Sequence, residues 1–200
     1  MALSHWANRN TEALKGARDE MFREWVVEEK QATVQHVRRL AEHAADLNEL
    51  KRRLEELVSD PELARVRDNY GFEAAREAID QRRRMLTFAS VGSINLELSV
   101  VHIARVERVV RELDPSDVKL LSTLSEDWSK TSYEALERAG ISGDALVSSG
   151  CVRLRDGNLW SAEADHLAYE APDETVATVS ELGRMVLVVC DPYLRAVAGQ

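Results

Sequence analysis

Little in this chain can staple, span or catalyse. Cysteine is scarce: two residues in 200, Cys151 and Cys190, cannot build a disulfide framework and suit a reducing compartment. The expectation is a pair of buried thiols. Long hydrophobic runs are missing. The longest uncharged stretch, Met85–Leu96, includes Ser90, Gly92, Ser93 and Asn95. It falls short of the roughly 20 apolar residues that a membrane helix needs. The first twenty residues carry Arg9, Glu12, Lys15, Arg18, Asp19 and Glu20, where a secretory leader would be apolar. A cytoplasmic location without membrane contact is therefore expected.

Patterns that carry known chemistry are also missing. There is no Gly-x-Ser-x-Gly, no phosphate loop and no dinucleotide glycine motif. Ser148-Ser149-Gly150 reads as a helix end, not a nucleophile elbow. Glu28-Glu29 and Glu55-Glu56 are adjacent on helical patterns, so each pair points apart. His36 and His43 share a helix face two turns apart, too far for one metal ion. Glu42 and Asp46 beside His43 are joined by no third ligand at suitable spacing. His102 falls on an apolar helix and is expected in a core or an interface. Trp6, Trp25, Trp128 and Trp160 are too scattered for one stacking platform, with Trp128 and Trp160 the candidates for an exposed or interface pair. The expectation is no catalytic residue, no cofactor and no metal.

What the chain does have is charge and helical periodicity. Net charge is −9, unevenly spread. Residues 1–110 carry 18 basic and 19 acidic residues, and residues 111–200 carry 8 and 16. The C-terminal part holds almost the whole negative balance, so it should repel nucleic acid and anionic membrane.

Helical patterning begins near Thr11 and runs without proline to Val58. Leu14, Ala17, Met21 and Trp25 form one stripe, which Val34, Val37, Ala41 and Ala44 continue. Leu47, Leu50, Leu54 and Leu57 then step by three, four and three, like a coiled-coil seam. Such a length predicts a helical hairpin or dimerisation arm, or two helices bent around Glu28–Thr33. The four leucines are the candidate oligomer interface. Ser59-Asp60-Pro61 stops this pattern and starts the next. Leu63, Val66 and Tyr70 form a short apolar face. Gly71 interrupts it, and Phe72, Ala75, Ile79, Leu86 and Val91 carry on to Gly92. Residues 1–112 thus read as an N-terminal antiparallel helical bundle or hairpin.

The stretch Ser93–Leu124 joins this half to residues 113–200. Leu96, Val100, Ile103, Val106 (or Glu107) and Val110 recur at helical spacing. At Leu113-Asp114-Pro115 a new helix is announced, with Asp114 as cap, Pro115 at the first position and Asp117 in the first turn. Val118, Leu120, Leu121 and Leu124 supply its buried face. Ser132 then caps a short helix closed by Gly140, and a third short helix is closed by Gly150. Cys151–Arg155 alternates like a strand, Asp156-Gly157-Asn158 reads as a turn, and Glu163–Glu174 is acidic and irregular. Thr175–Val179 reads as a second strand, and Ser180-Glu-Leu-Gly183 opens a last helix through Val189.

This order, with ALERAGISGDALVSSGCVRL followed by VATVSELGRMVLVVC, resembles a winged helix. The resemblance implies structural roles for Ser180 as a cap, Leu182 as a core contact and Gly183 as a close-packing glycine. The joint LDPSDVKLL behind a helical half is similar to bacterial proteins of the abortive-infection alpha type, which implies a link to phage defence. A winged helix usually reads DNA through its third helix. Here that helix, SGDALVSSG, contains Asp144 and no Lys, Arg, Asn or Gln, the side chains on which base readout relies.

Basic residues lie elsewhere. Arg153 and Arg155 are candidates for phosphate contact from the wing. Lys51-Arg52-Arg53 and Arg82-Arg83-Arg84 are flanked by acids, so they read as solvated faces with i to i+4 pairing. The sharper reading brings both triplets together across a dimer, with Arg82, Arg83 and Arg84 meeting nucleic acid. The expected fold is mainly α: the N-terminal bundle or hairpin with a C-terminal winged-helix-like module bearing a two- or three-stranded wing. The expected role is a non-catalytic, homodimeric protein-interaction or regulatory factor. The alternative is a dimeric winged-helix transcriptional regulator that binds DNA.

Overall fold

The computed structural model describes residues 20, 23, 25–126, 136, 138–156 and 175–199. The fold is mainly helical, with one small antiparallel sheet. Helix α1 covers residues 25–42. It is followed by α2 (Leu47–Val58), α3 (Pro61–Ala74), α4 (Asp80–Gly92), α5 (Val100–Glu112) and α6 (Pro115–Glu126). Then come α7 (Ile141–Ser148), strands β1 (Val152–Asp156) and β2 (Thr175–Val179), and α8 (Glu181–Ala198). Trp6, Trp128, Trp160, the Ser132 cap, the turn at residues 157–158 and the acidic stretch 163–174 lie outside the described residues. Among the described residues no helix is long and apolar enough to cross a membrane.

The long N-terminal pattern breaks at residues 43–46, not around Glu28–Thr33, where α1 is continuous. Asp46 makes the break. Its backbone is extended, and its Oδ1 accepts from the amides of Asn48 (2.8 Å) and Glu49 (3.3 Å). A carboxylate that satisfies two free amides starts a new helix better than it continues an old one. Asp60 repeats the device for α3, accepting from Glu62 N and Leu63 N, with Pro61 in the first turn. At α6 the expected cap works in reverse. Asp117 Oδ2 accepts from the backbone N–H of Asp114 at 2.7 Å, while the Asp114 carboxylate turns to Arg82 at 2.8 Å.

Gly71 does not interrupt α3 but lies inside it. A Cβ there would fall 2.4 Å from the Trp25 ring, so the absent side chain seats α1 against α3. Gly92 serves α4 in the same way: a Cβ would lie 1.8 Å from the carbonyl oxygen of Val189 on α8. The packing of α4 on α8 also explains why α8 runs to Ala198, well past the expected end at Val189. Pro192 sits inside that helix, at a cost of about 3 kcal/mol in a free helix. Val186, Val189, Cys190 and Tyr193 on α8 are buried, and each such side chain contributes roughly 1.5–3 kcal/mol. The burial outweighs the proline.

The strands pair antiparallel from Val152 opposite Val179 to Asp156 opposite Thr175. Gly140 and Gly150 bracket α7 at φ of 58° and 76°, a region that glycine enters without strain. Ser180 ties the sheet to α8. Its Oγ accepts from Gly183 N at 3.1 Å and donates to Gly150 O at 2.7 Å. A Cβ on Gly183 would meet the carbonyl oxygen of Cys151 at 2.3 Å. One hydrophobic core runs from Leu63 on α3 through α4, α5, α6, α7 and the sheet to Tyr193 on α8. Residue 112 therefore marks a change of charge and element type, and the core passes across it.

Two polar residues of α5 take opposite sides. His102 is exposed beside Val101, because Ile103, Val106 and Val110 take the core face. Glu107 is buried at 1% exposure, accepting from Asn69 Nδ2 (3.1 Å) and Arg111 Nη1 (2.9 Å). A buried carboxylate needs such partners.

Candidate functional site

Helix α2 has a different surface on each side. One side faces a cleft of about 840 Å³. The turn at residues 43–46 folds α2 back, so that Glu49 and Arg53 oppose His36, Arg39, Leu40 and His43 of α1. The segment after α4 contributes Asn95, Leu96 and Glu97. Helix α8 adds Leu187, Val188, Asp191 and Arg195 at helical spacing.

The polar groups of this cleft are already oriented. His36 Nε2 donates to the buried carbonyl of Ile94 at 2.9 Å. A carbonyl only accepts, so Nε2 carries the proton and Nδ1 keeps its lone pair. Burial lowers the His36 pKa below 6.5; the Ile94 bond opposes this and the nearby Arg39 charge adds to it. The ring is therefore neutral at pH 7. His43 Nδ1 donates to Arg39 O at 2.9 Å. Three acids of the lining are committed. Asp46 holds the start of α2, Glu49 grips Arg52 at 2.6 and 2.8 Å, and Asp191 grips Arg195 at 2.8 Å.

Two guanidinium groups have no such partner. Arg53 gives one N–H to Leu96 O at 2.9 Å, and no carboxylate among the described residues lies within ion-pair distance of it. Arg39 is half-buried, and among the described residues its guanidinium has no hydrogen bond or ion pair. His36 and His43, two turns apart along α1, do share this cleft. Among the described residues no three His, Cys, Asp or Glu side chains converge as metal ligands.

The other side of α2 is an apolar groove of about 550 Å³. It is lined by Val37 and Ala41 of α1 and by Leu47, Leu50, Leu54 and Val58 of α2, with Lys51 and Glu55 on its rim. The four-leucine seam divides here. Leu47 is 61% exposed and Leu54 half-buried in the groove, but Leu50 is buried between the helices and Leu57 turns to the core. The reason is helical period: Leu47 and Leu54 share one face, and Leu50 and Leu57 share another about 60° round the helix, turned inward. Val34 and Val58 extend the open strip, each at least half exposed.

The second arginine triplet is spent inside the chain. Arg82 pairs with Glu77 and Asp114 and donates to Arg111 O, Arg83 pairs with Asp80, and Arg84 pairs with Glu28. In the first triplet, Lys51 pairs with Glu55 and Arg52 with Glu49 and Glu56. Arg153 is exposed on β1 and lines a shallow hollow with Arg105 and Leu154. The side chain of Arg155 lies outside the described residues.

Comparison with protein-family models, with curated proteins and with solved structures finds no match to this chain. The site must therefore be read from its own chemistry. Sequence reasoning reached one wall of the cleft, through His36 and His43, and dismissed it as a metal site. It singled out Arg53 only as part of the basic triplet Lys51-Arg52-Arg53, and it missed Arg39, Asp191 and Arg195. The α1 and α2 residues carried a legible signal, because Arg39 and His43, like Glu49 and Arg53, stand four apart. The α8 contribution carried none.

Proposed function

We propose that the protein is a non-catalytic, homodimeric protein-interaction or regulatory factor, with the α1–α2 groove as its self-association face. The carrying observation is the open apolar strip of Val34, Leu47, Leu54 and Val58 along two adjacent helices. Its rim is self-complementary. Lys51 and Glu55 stand one turn apart, 3.8 Å from each other and well exposed. An antiparallel two-fold pairing of α2 with a second copy sets each Lys51 against a Glu55 and closes the strip.

The order of α6, the helical residues 136, 138 and 139, α7, β1, β2 and α8 supports a winged-helix-like reading of the C-terminal part. An α7 with Asp144 and no basic residue favours a module that packs on protein over one that reads bases. The resemblance to abortive-infection alpha proteins supports a bacterial defence setting for this role. The DNA-binding alternative draws on Arg53, Arg105 and Arg153, since Arg82, Arg83 and Arg84 already have carboxylate partners.

The test is sedimentation equilibrium at micromolar concentration. The unaltered chain should sediment as a dimer, and Leu47→Glu with Leu54→Glu should give a folded monomer. A monomeric unaltered chain would sink the proposal.

A further inference from the structure

We infer that the cleft between α1, α2 and α8 is a binding site for a small amphiphilic carboxylate. This inference does not depend on the dimer reading. Its first support is the charge balance of the lining. Of the acids there, Asp46, Glu49 and Asp191 are each committed to a partner, which leaves Glu97 exposed at the edge. Against it stand half-buried Arg39 and exposed Arg53, neither with a carboxylate partner among the described residues. The chain has 35 acidic residues against 26 basic ones. Elsewhere it gives Arg52, Arg65, Arg67, Arg82, Arg83, Arg84 and Arg111 carboxylate partners of their own, and in the cleft Arg195 has Asp191. A half-buried guanidinium left unpaired in such a chain is a site for an incoming anion.

The second support is the shape and make-up of the cleft. Its volume of about 840 Å³ lies in the range that holds a small ligand. Leu40, Leu50, Leu96, Leu187 and Val188 give it an apolar lining. A planar guanidinium fork matches a carboxylate with two parallel N–H donors. The acid group meets Arg39 and Arg53, and the hydrocarbon body lies along the leucines. His36, neutral and held by Ile94 O, adds an acceptor and no competing charge. A bare inorganic anion would use the arginines and leave the apolar lining wet, so an amphiphile is the better match.

The test uses octanoate as probe, titrated by calorimetry into the full chain. Octanol is the neutral control and inorganic phosphate the control without a hydrocarbon body. Saturable one-to-one octanoate binding is expected, with octanol and phosphate each weaker by roughly tenfold or more, the worth of a charge-assisted contact. Arg39→Gln with Arg53→Gln should weaken octanoate by at least the same factor. Arg52→Gln, on the same helix but already paired with Glu49 and Glu56, should leave it unchanged. A second readout needs no variant: octanoate should shift the amide resonances of Asn95, Leu96 and Val188 in the unaltered chain. Absence of saturable binding into the millimolar range overturns the inference. So does equal affinity for octanol or for phosphate, or an unchanged affinity in the double arginine variant.

Discussion

Helices α2 and α4 are nearly equal in length, and they are held in opposite ways. Helix α4 buries Met85, Leu86, Thr87, Ala89, Ser90, Val91 and Gly92, and its last residue lies almost in contact with the α8 backbone. Helix α2 buries Leu50 alone. Its ion pairs, Lys51–Glu55 and Arg52 with Glu49 and Glu56, all lie at exposed positions. Exposed pairs hold a helix weakly, because solvent screens them and long side chains lose entropy. Stability therefore resides in α3, α4, α5 and α8. The lightly packed α2 keeps both of its long faces open, an apolar groove on one and a charged cleft on the other. Elements that bind are drawn from the weakly held parts of a fold.

The sharpest way to break this contrast is at Gly92. Gly92→Ala puts a Cβ against Val189 O, backbone that cannot swing aside, so α4 and α8 must separate. A loss of roughly 3 kcal/mol in denaturant unfolding is expected, from overpacking at a closed joint. Gly199→Ala at the end of α8 meets only an ordinary 3.6 Å contact and should change the midpoint little. Equal effects would mean that the α4–α8 joint is not the tight one.

Next in size is alkaline sensitivity. Burial, aided by the neighbouring Cys151, pushes the Cys190 thiol from its usual 9.0 up to about 12. The folded chain thus keeps a proton that the unfolded chain loses above pH 9. Stability should be level through neutral pH and fall as pH rises from 9 towards 12. Cys190→Ala should make that fall shallower, leaving the part due to Cys151, Tyr70 and Tyr193, whose burial raises their pKa values in the same sense. In the native state at pH 8 the thiol should resist Ellman's reagent. Rapid labelling without unfolding would contradict its burial.

The smallest effect is expected on α2. Arg52→Ala removes both of its pairs, yet it should leave the unfolding midpoint almost unmoved. A clear drop would show that α2 is held more firmly than its burial implies.

Much of this architecture was legible residue by residue. Asp60-Pro61 and Ser180 start helices because side-chain oxygens and a fixed φ favour that turn of chain. Thr175–Val179 forms a strand because its β-branched residues suit a pleated surface. Gly140 and Gly150 end short helices because glycine enters positive φ freely. These are local effects, complete within a few residues. The sequence reading failed where a distant segment decided the outcome. Gly71 looked like a breaker until Trp25 occupied its space. The last helix looked finished at Val189, but α4 packs on Val189 and Pro192 and the helix runs on to Ala198. Glu107 stood only as an alternative to Val106 on the α5 stripe, and it is Asn69 and Arg111 that let its carboxylate enter the core.

The same division holds for the candidate site. Periodicity alone put His36 with His43, and Leu47 with Leu54, on shared helix faces. Composition set the acidic balance that makes an unpaired arginine informative. Only the tertiary structure decided which leucines stay open, which arginines find carboxylates, and that α8 closes the cleft beside α1. Helical faces follow from spacing along the chain, whereas pairing and burial depend on which distant residues the packed core brings within reach.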